Sequence, residues 1–219
     1  MVSTAPMTPE LAELLADTTV VCRQWAEQIE GPYRRGAQPL RRSLVEDREG
    51  ASLLLGLVLV DAGGAPLSNG EIEVWHCDAA GRYSGYPPPL DPGTPPVTEA
   101  AAPRTEYLST QTFLRGRQPT NARGAVEFNT IYPGWYPGRT VHIHLMAHTA
   151  ERTYTSQLYF PDETSDAVFT RGPYRERPDR DTTNVNDEIF PTGGDPAVLD
   201  LRPHLDGYLA AARLHLPAA

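Results

Sequence analysis

"SLLLGLVLVDAGGAPLSNGEIEVWHC", residues 52–77, decides the fold class because it joins two strand patterns through one turn. SLLLGLVLVD is apolar almost throughout, as a buried strand is, and DAGGAPLSNG collects the Gly, Pro, Ser and Asn residues of a turn. EIEVWHC alternates, so Ile72 and Val74 share one face. Two such strands in a chain with few helix signals predict a mainly β protein built as an antiparallel sandwich.

Further strand patterns follow along the chain, at residues 109–114, 125–130, 140–147 and 153–160. The N-terminal TPELAELLAD places Leu11, Leu14 and Leu15 at helical spacing and predicts the one substantial helix. The C-terminal GYLAAARLHL is ambiguous between helix and strand.

Two long segments have no usable period, and both are predicted to be loops. Residues 84–104 are proline-rich and residues 161–187 are polar. A chain of 219 residues suffices for one large all-β domain. We expect a single structural domain, in which an N-terminal part, 1–50, contributes the helix and a Gly-Pro-Tyr loop that pack on a sandwich formed by 51–219.

Composition restricts the partners. The 28 acidic residues outnumber the 19 basic ones, with no basic stripe, which argues against nucleic acid. No run approaches the roughly 20 apolar residues of a membrane span, and no signal-peptide pattern is visible. We therefore expect no membrane partner and a cytoplasmic protein, with secretion left open. Cys22 and Cys77 form no C-x-x-C pair, and both a disulfide and two free thiols stay open.

The run YPGWYPGRTVHIH, residues 132–144, carries an H-x-H pair. Side chains two apart on a strand point to the same face, so His142 and His144 emerge together while Val141, Ile143 and Leu145 face the core. Two imidazoles on one face suit iron, zinc, copper or nickel. Histidines on a solvated strand face are the more common case, so the pair alone does not establish a metal site.

Tyrosines close to this pair narrow the choice of metal. Gly134 and Gly138 permit tight turns that fold Tyr136 and Arg139 back toward the histidines, and Tyr83 ends a similar strand-turn unit. A tyrosine binds a metal as phenolate, and its ordinary pKa near 10 requires a strong Lewis acid for deprotonation at neutral pH. Ferric iron meets this requirement, whereas zinc favours Cys, His or carboxylate.

Four segments together resemble the intradiol ring-cleavage dioxygenases, which include catechol 1,2-, hydroxyquinol 1,2- and protocatechuate 3,4-dioxygenases. They are EGPYRRG, EVWHCDAAGRYSGY, FLRGRQPTNARGAVEFNTIYPGWYPGRTVHIHL and SQLYFPDE. The resemblance runs in order from about residue 28 to residue 200. It implies a prealbumin-like sandwich and a non-haem Fe(III) cofactor whose ligands match Tyr83, Tyr136, His142 and His144.

The resemblance also implies roles for other residues. Arg139 matches the active-site arginine, Gln157 the glutamine near the bound ring, and Tyr136 a ligand that also takes part in catalysis. Tyr33 and Tyr86 are expected to line the substrate pocket. The implied reaction cleaves a catechol-type ring with O2 between its hydroxylated carbons and yields a cis,cis-muconate-type dicarboxylate. A catechol 1,2-dioxygenase-like activity and a homodimer are the corresponding expectations.

The chain also departs from the larger enzymes of this family. His142 follows Tyr136 by only six positions. About 50 residues precede the first strand, so we expect no counterpart to the long helical dimerisation segment of catechol 1,2-dioxygenases. With the proline-rich loop at 87–96, the short span predicts an open mouth. Beyond Arg82 and Arg139 no basic cluster is visible, so protocatechuate is not favoured over catechol or hydroxyquinol.

Alternatives remain at the level of both residues and function. Tyr132 competes with Tyr136 as a ligand, but Pro133 pushes it toward an extended, packing role. His148 shares the face of His144 and is expected to lie outside the ligand set, while His76 is expected in the core or a turn. A non-catalytic prealbumin-like binding module is the main alternative function. A cupin-type site would need a carboxylate and a later histidine, for which Glu151 and His204 are poorly spaced.

Overall fold

The computed structural model describes residues 6–16, 22–36, 38–87 and 109–216, with the backbone alone for 22–24. Within these ranges the chain forms two helices, α1 (Pro9–Ala16) and α2 (Asp162–Phe169). The strands are β1 (Cys22–Gln24), β2 (Ser52–Val60), β3 (Glu71–Trp75), β4 (Arg115–Pro119), β5 (Ala125–Ile131), β6 (His142–His148), β7 (Thr153–Tyr159), β8 (Asp200–His204) and β9 (Gly207–His215). Short 3-10 turns cover Tyr174–Glu176, Phe190–Thr192 and Asp195–Ala197.

The strands form the predicted sandwich of two sheets. One sheet has the order β1-β9-β2-β5, and β8 joins it by pairing with β9. The other has the order β4-β3-β6-β7 and is antiparallel throughout. Strands β2 and β3 of the fold-deciding stretch therefore lie in different sheets, and their turn crosses the edge of the sandwich.

The first sheet is not purely antiparallel, because β9 runs parallel to both β1 and β2. Strand β9 is the ambiguous GYLAAARLHL segment, which the structure resolves as a strand. A tight turn after His204 makes β9 antiparallel to β8, but no short hairpin ties β9 to β2, so these two strands can pair in parallel. Its side chains alternate between the space between the sheets, where Ala210 and Leu214 lie, and the α1 side, where Leu209 and Ala211 lie.

Strand β2 is apolar throughout because both of its faces are covered. One face packs in the core between the sheets and contributes Leu53, Leu55, Leu57 and Leu59. The other contacts α1, where Val58 and Val60 join the helix residues Leu11, Leu14 and Leu15. A continuous apolar run is typical of a strand buried on two sides.

Three local predictions are wrong. The strand expected at 109–114 begins at Arg115 instead, because Leu114 has a φ of +56° that interrupts an extended run. The polar segment 161–187 contains α2, so α1 is not the one substantial helix. Helix α2 has weak periodicity because one of its two buried residues is polar, namely Ser165 beside Val168.

Two expectations lie partly or wholly beyond this description. The proline-rich loop predicted at 87–96 falls, apart from Pro87, outside the described residues. Helix α1 contacts β2 and β9, while the division into 1–50 and 51–219 stays a prediction. None of the helices in the described part of the chain is long and apolar enough to cross a bilayer.

Candidate metal centre

The H-x-H pair lies at the start of β6, in the middle of the second sheet. Both imidazoles are buried, and Val141, Ile143 and Leu145 point into the core, as the alternation predicts. His144 pairs in register with Trp75 on β3 and with Gln157 on β7. The indole of Trp75 stacks on the His144 ring at 5.0 Å between centroids and 2° between planes, which holds that ring in one orientation.

Four donor atoms meet at this point. The Nε2 atom of His142 lies 3.1 Å from His144 Nε2, 3.2 Å from the Tyr136 hydroxyl and 3.4 Å from the Tyr83 hydroxyl. The structure thus brings together all four residues predicted as ligands, from two turns and one strand. The Nδ1–H of His142 donates to the Thr140 carbonyl at 2.7 Å, which leaves Nε2 with its lone pair toward the other three donors.

Two glycines allow these turns to approach each other. A Cβ at Gly134 would lie 2.5 Å from the carbonyl oxygens of Asp78 and Ala79, in the turn that leads to Tyr83. Gly138 has a φ of +84°, and the following Arg139 amide donates to the Tyr136 carbonyl at 3.2 Å. The turn predicted at Gly138 is therefore present, whereas Gly134 allows two segments to approach closely and forms no turn of its own.

Burial keeps all four donors neutral. Removal from water raises the pKa of both the Tyr83 and the Tyr136 phenols well above the usual value. It lowers the pKa of His142 and His144 well below the usual imidazole value, assisted by the nearby Arg139 guanidinium. A cation that binds here must displace two phenolic protons, so the donor set fits a hard, highly charged ion better than zinc.

Carboxylates and thiolates do not form a metal site of their own here. Among the described residues, no group of three or more His, Cys, Asp or Glu side chains is placed to hold a metal. Glu151, considered for a cupin-type site, lies in the turn after β6, at the opposite end of that strand from His142. The convergence of donors thus depends on the two tyrosines.

Arg139 and Gln157 lie beside this cluster, as predicted. Both are buried, and the Nη2 of Arg139 donates to the Gln157 Oε1 at 2.7 Å. Sequence reasoning missed the partner on the other side of the guanidinium. The Nε of Arg139 donates to Asp187 at 2.9 Å, and both side chains of this ion pair are nearly inaccessible to water.

Tyr33 and Tyr86 belong to the aromatic layer around the cluster. Tyr33 stacks on Tyr83 at 4.3 Å and 13°, and the Tyr86 hydroxyl donates to the Arg34 carbonyl at 2.6 Å. The buried Arg115, which sequence reasoning also missed, donates to the Tyr33 carbonyl at 2.7 Å and to the Ser84 side chain at 2.7 Å. It thereby ties the Gly-Pro-Tyr loop to the turn that carries Tyr83.

The rival residues lie elsewhere. Tyr132 is packed in the core with its hydroxyl 2.8 Å from Ser165 Oγ, and His148 is partly exposed beside Glu73 and Thr153. His76 is fully buried, 2.7 Å from the Thr130 hydroxyl. Cys77 is a free, buried thiol, and burial raises its pKa to about 12.

A cleft of about 570 Å³ lies at the other end of the sandwich, near Asp61 and Glu151. None of the residues predicted for the site lines it. The donors that suit a metal converge instead at the start of β6, which makes that end of the sandwich the candidate site.

Comparisons with known proteins agree with this geometry. A family model described as Dioxygenase matches residues 29–171. An intradiol ring-cleavage dioxygenase structure from Tetranychus urticae is 31% identical with a TM-score of 0.77, over 89% of this chain and 94% of that one. The dioxygenase domain of a carbohydrate-binding fusion from Streptomyces sp. SirexAA-E is 27% identical with a TM-score of 0.62, over 90% and 100%.

One curated relative matches over a shorter range. The protocatechuate 3,4-dioxygenase beta chain of Burkholderia cepacia is 34% identical over 119 residues, which are 48% of this chain and 43% of that one. The match thus spans less than half of that relative. The fold and the family model define a β-sandwich oxidoreductase of the dioxygenase class. The chain belongs to the intradiol ring-cleavage dioxygenase family.

Proposed function

We propose that this protein holds a non-haem Fe(III) ion and uses O2 to cleave a catechol-type ring between its two hydroxylated carbons. The product is a cis,cis-muconate-type dicarboxylate. The observation that carries the proposal is that both phenol oxygens and the Nε2 atom of His144 lie within 3.4 Å of His142 Nε2. A non-catalytic prealbumin-like module would leave this buried donor set without a purpose.

Tyr83, Tyr136, His142 and His144 are the proposed ligands. Ferric iron would supply the Lewis acidity that stabilises two phenolates and a catecholate and prepares the ring for O2. Tyr136 is assigned a second task, the uptake of a proton at its hydroxyl oxygen from the incoming diol. Burial raises the pKa of Tyr136, so its phenolate is a strong base wherever no metal stabilises it.

Arg139 is the proposed electrostatic catalyst. Its guanidinium is held from both sides, by Asp187 and by Gln157, at the edge of the donor cluster. A fixed cation stabilises negative charge that develops on the ring and loses nothing to reorganisation during the reaction. Gln157 keeps the guanidinium in place, and the rings of Tyr33 and Tyr86 exclude water from the ligand side.

The proposed substrate is a catechol without a required carboxylate. The short 137–141 span supports an open mouth that tolerates substituted rings. The name of the curated relative makes protocatechuate the natural comparison, and hydroxyquinol is a third substrate to test. Higher kcat/KM for catechol than for protocatechuate is expected, and the reverse order would contradict the catechol 1,2-dioxygenase-like assignment. A homodimer and a cytoplasmic location stay predictions.

The decisive experiment is a visible absorption spectrum of the purified protein under argon, with an iron assay, before and after addition of catechol. We expect a red-brown phenolate-to-iron band that shifts to longer wavelength with catechol and returns after O2 is admitted and catechol is consumed. A protein that stays colourless and iron-free after reconstitution with ferrous and ferric iron would contradict the proposal.

A further inference from the structure

We propose that Asp187 is a positioning residue that places both Arg139 and Thr140, the residue whose carbonyl orients His142. The inference rests on the proposed function for its effect on turnover. Its structural part concerns only the contacts of this chain. Arg139 and Thr140 lie 48 and 47 positions before Asp187 in the sequence, so folding alone brings them into contact with it.

The Asp187 carboxylate accepts four hydrogen bonds while buried. One oxygen, Oδ2, accepts from Arg139 Nε at 2.9 Å and from the Thr140 amide at 2.8 Å. The other, Oδ1, accepts from the amides of Ile189 at 2.8 Å and Phe190 at 2.7 Å. All four partners are donors, so only an ionised carboxylate satisfies them all. An asparagine would turn an NH2 group toward one pair of donors.

A single oxygen therefore governs two parts of the site. The Oδ2 atom fixes the guanidinium of Arg139 directly. It also holds the 139–140 peptide through the Thr140 N–H at 2.8 Å. The Thr140 carbonyl, which belongs to the next peptide, accepts the Nδ1–H of His142 at 2.7 Å, so the two contacts are linked through the backbone of Thr140. Any displacement of Oδ2 would shift the proposed electrostatic catalyst and rotate a proposed ligand together.

The opposite side of the guanidinium is held by a chain of polar side chains that returns to the same loop. Arg139 donates to Gln157, whose Oε1 lies 3.2 Å from the Tyr159 hydroxyl. That hydroxyl also lies 3.0 Å from the Gln28 Oε1, and the Gln28 amide donates to the Ile189 carbonyl at 3.3 Å. The Tyr159 hydroxyl donates to one of these two oxygens at a time, but the chain of contacts still returns to the loop of Asp187 and restricts the guanidinium.

The alternative is that Asp187 is only structural and caps the turn that leads into the 3-10 turn Phe190–Thr192. Its bonds to the amides two and three residues later are the usual contacts of an Asp cap, and serine makes the same contacts. Asp187→Ser therefore keeps the cap, because its shorter hydroxyl still reaches the local amides, but loses Arg139 and Thr140. The variant separates positioning from loop stability.

A matched control lies in the same loop. Asp162 accepts from Arg180 at 2.6 Å and from the amide of Asn184 at 3.2 Å, and the Asn184 side chain accepts from the Thr140 hydroxyl at 2.7 Å. Asp162→Asn therefore loosens the loop, including the residue beside the Thr140 side chain, but leaves every contact of Arg139 and of the Thr140 amide in place. We expect Asp187→Ser and Asp187→Asn to lower kcat for catechol about 10- to 100-fold with a smaller change in KM. Asp162→Asn should keep kcat near that of the parent. An equal loss in the control, or none in Asp187→Ser, would overturn the proposal.

A double-variant cycle tests the route through Arg139. Asp187→Ser added to Arg139→Ala should cost much less than it does in the parent, because the guanidinium it positions is already gone. Any loss of kcat that Asp187→Ser still causes in the Arg139→Ala background measures the effect that acts through Thr140 and His142. Full additivity of the two losses would show that Asp187 does not act through Arg139.

A readout independent of turnover completes the test. Amide hydrogen exchange of the full-length protein as purified, followed by mass spectrometry, should show faster exchange at 139–141 in Asp187→Ser and parent-like exchange there in Asp162→Asn. Unchanged exchange in Asp187→Ser would overturn the proposal even if the turnover of that variant falls. A parent that binds iron but cleaves no catechol would contradict the proposed function alone, since the exchange contrast does not depend on it.

Discussion

His142 is the residue on which the geometry of the centre depends. Its Nε2 atom is the common neighbour of the other three donors, and its Nδ1–H is committed to the Thr140 carbonyl. A rotated ring or the other tautomer would present N–H to the cluster in place of a lone pair. The backbone two residues upstream thus decides whether this imidazole can bind a metal.

Removal of one phenol tests the ligand set. Tyr83→Phe keeps the ring that stacks on Tyr33 but removes an oxygen donor, so we expect iron affinity to fall at least about tenfold and the absorption band to shift. The matched control is Tyr132→Phe, since that hydroxyl contacts Ser165 in the core and not the cluster. The test is the iron content and the absorption spectrum of both variants, measured side by side with those of the parent. Parent-like iron and colour in Tyr83→Phe would remove it from the ligand set.

Loss of the guanidinium should separate metal binding from turnover. Arg139→Ala leaves the four donors intact, so iron content and colour should stay close to those of the parent. We expect kcat to fall about 100- to 1,000-fold, the scale observed when one preorganised electrostatic donor is removed. Steady-state oxygen uptake with catechol measures the loss, and near-normal turnover would show that Arg139 has no catalytic role.

Individual site residues differ in how far the sequence predicts them. Tyr136, Arg139 and the two histidines are recognisable because they lie within nine consecutive residues with a fixed strand period. Asp187 gives no such signal, because its function depends on a contact across 48 positions within a polar loop. The role of Arg115 is equally difficult to predict from the sequence. An arginine in an edge strand is expected to face solvent, whereas the fold buries Arg115.

Among the elements, β6 is the one that assembles the site. It lies between β3 and β7, and these neighbours place Trp75 and Gln157 on either side of His144.

The position of the second sheet depends in turn on the first. Helix α1 covers the outer face of β2, where Leu11 packs over Gly56, a residue whose missing side chain leaves room for the helix.

This helix–strand contact gives a prediction on stability. A Cβ at Gly56 would lie 2.6 Å from the Leu11 side chain, so we expect Gly56→Ala to lower the free energy of unfolding by about 1–3 kcal/mol. Leu11→Ala should cost about 2–5 kcal/mol through the cavity that it leaves. Combined, the two changes should cost less than the sum, because the new methyl group enters the vacated space.

Urea unfolding of the parent, the two single variants and the double variant measures this coupling. Strict additivity of the two losses would mean that Gly56 is required for another reason than the approach of α1. Iron content of each folded variant serves as a control, since the contact lies on the outer face of the sheet that does not carry the donors.

Elements with strong local periods were predictable, and those set by distant partners were not. Strands β2, β3, β5, β6 and β7 follow runs of apolar or alternating residues. Strand β4 was misplaced because the left-handed Leu114 has no signature in the sequence, and the parallel pairing of β9 depends on the path of the whole chain. Helix α2 was missed because its buried face includes Ser165, whose hydroxyl is satisfied by Tyr132.

At the scale of the whole molecule, the centre lies in a part of the sandwich where histidines are kept neutral. His76, which directly follows β3, is fully buried and is 2.8 Å from the Cys77 carbonyl and 2.7 Å from the Thr130 hydroxyl. Burial lowers the pKa of His76 to about 4, against 6.5 in an unfolded chain. Protonation of this residue therefore opposes folding of the entire domain.

The sign of the pH dependence follows from this difference. As pH falls below about 6.5, His76 becomes protonated in the unfolded chain, whereas in the folded protein it stays neutral until about pH 4. The free energy of unfolding therefore decreases as pH decreases across this window and levels off below it. The full loss amounts to about 3 kcal/mol. We expect urea unfolding of His76→Gln to depend less steeply on pH between 6.5 and 4 than that of the parent. His142 and His144 are present in both proteins, so their contributions cancel in the difference. Parallel curves would show that His76 is not buried in its neutral form.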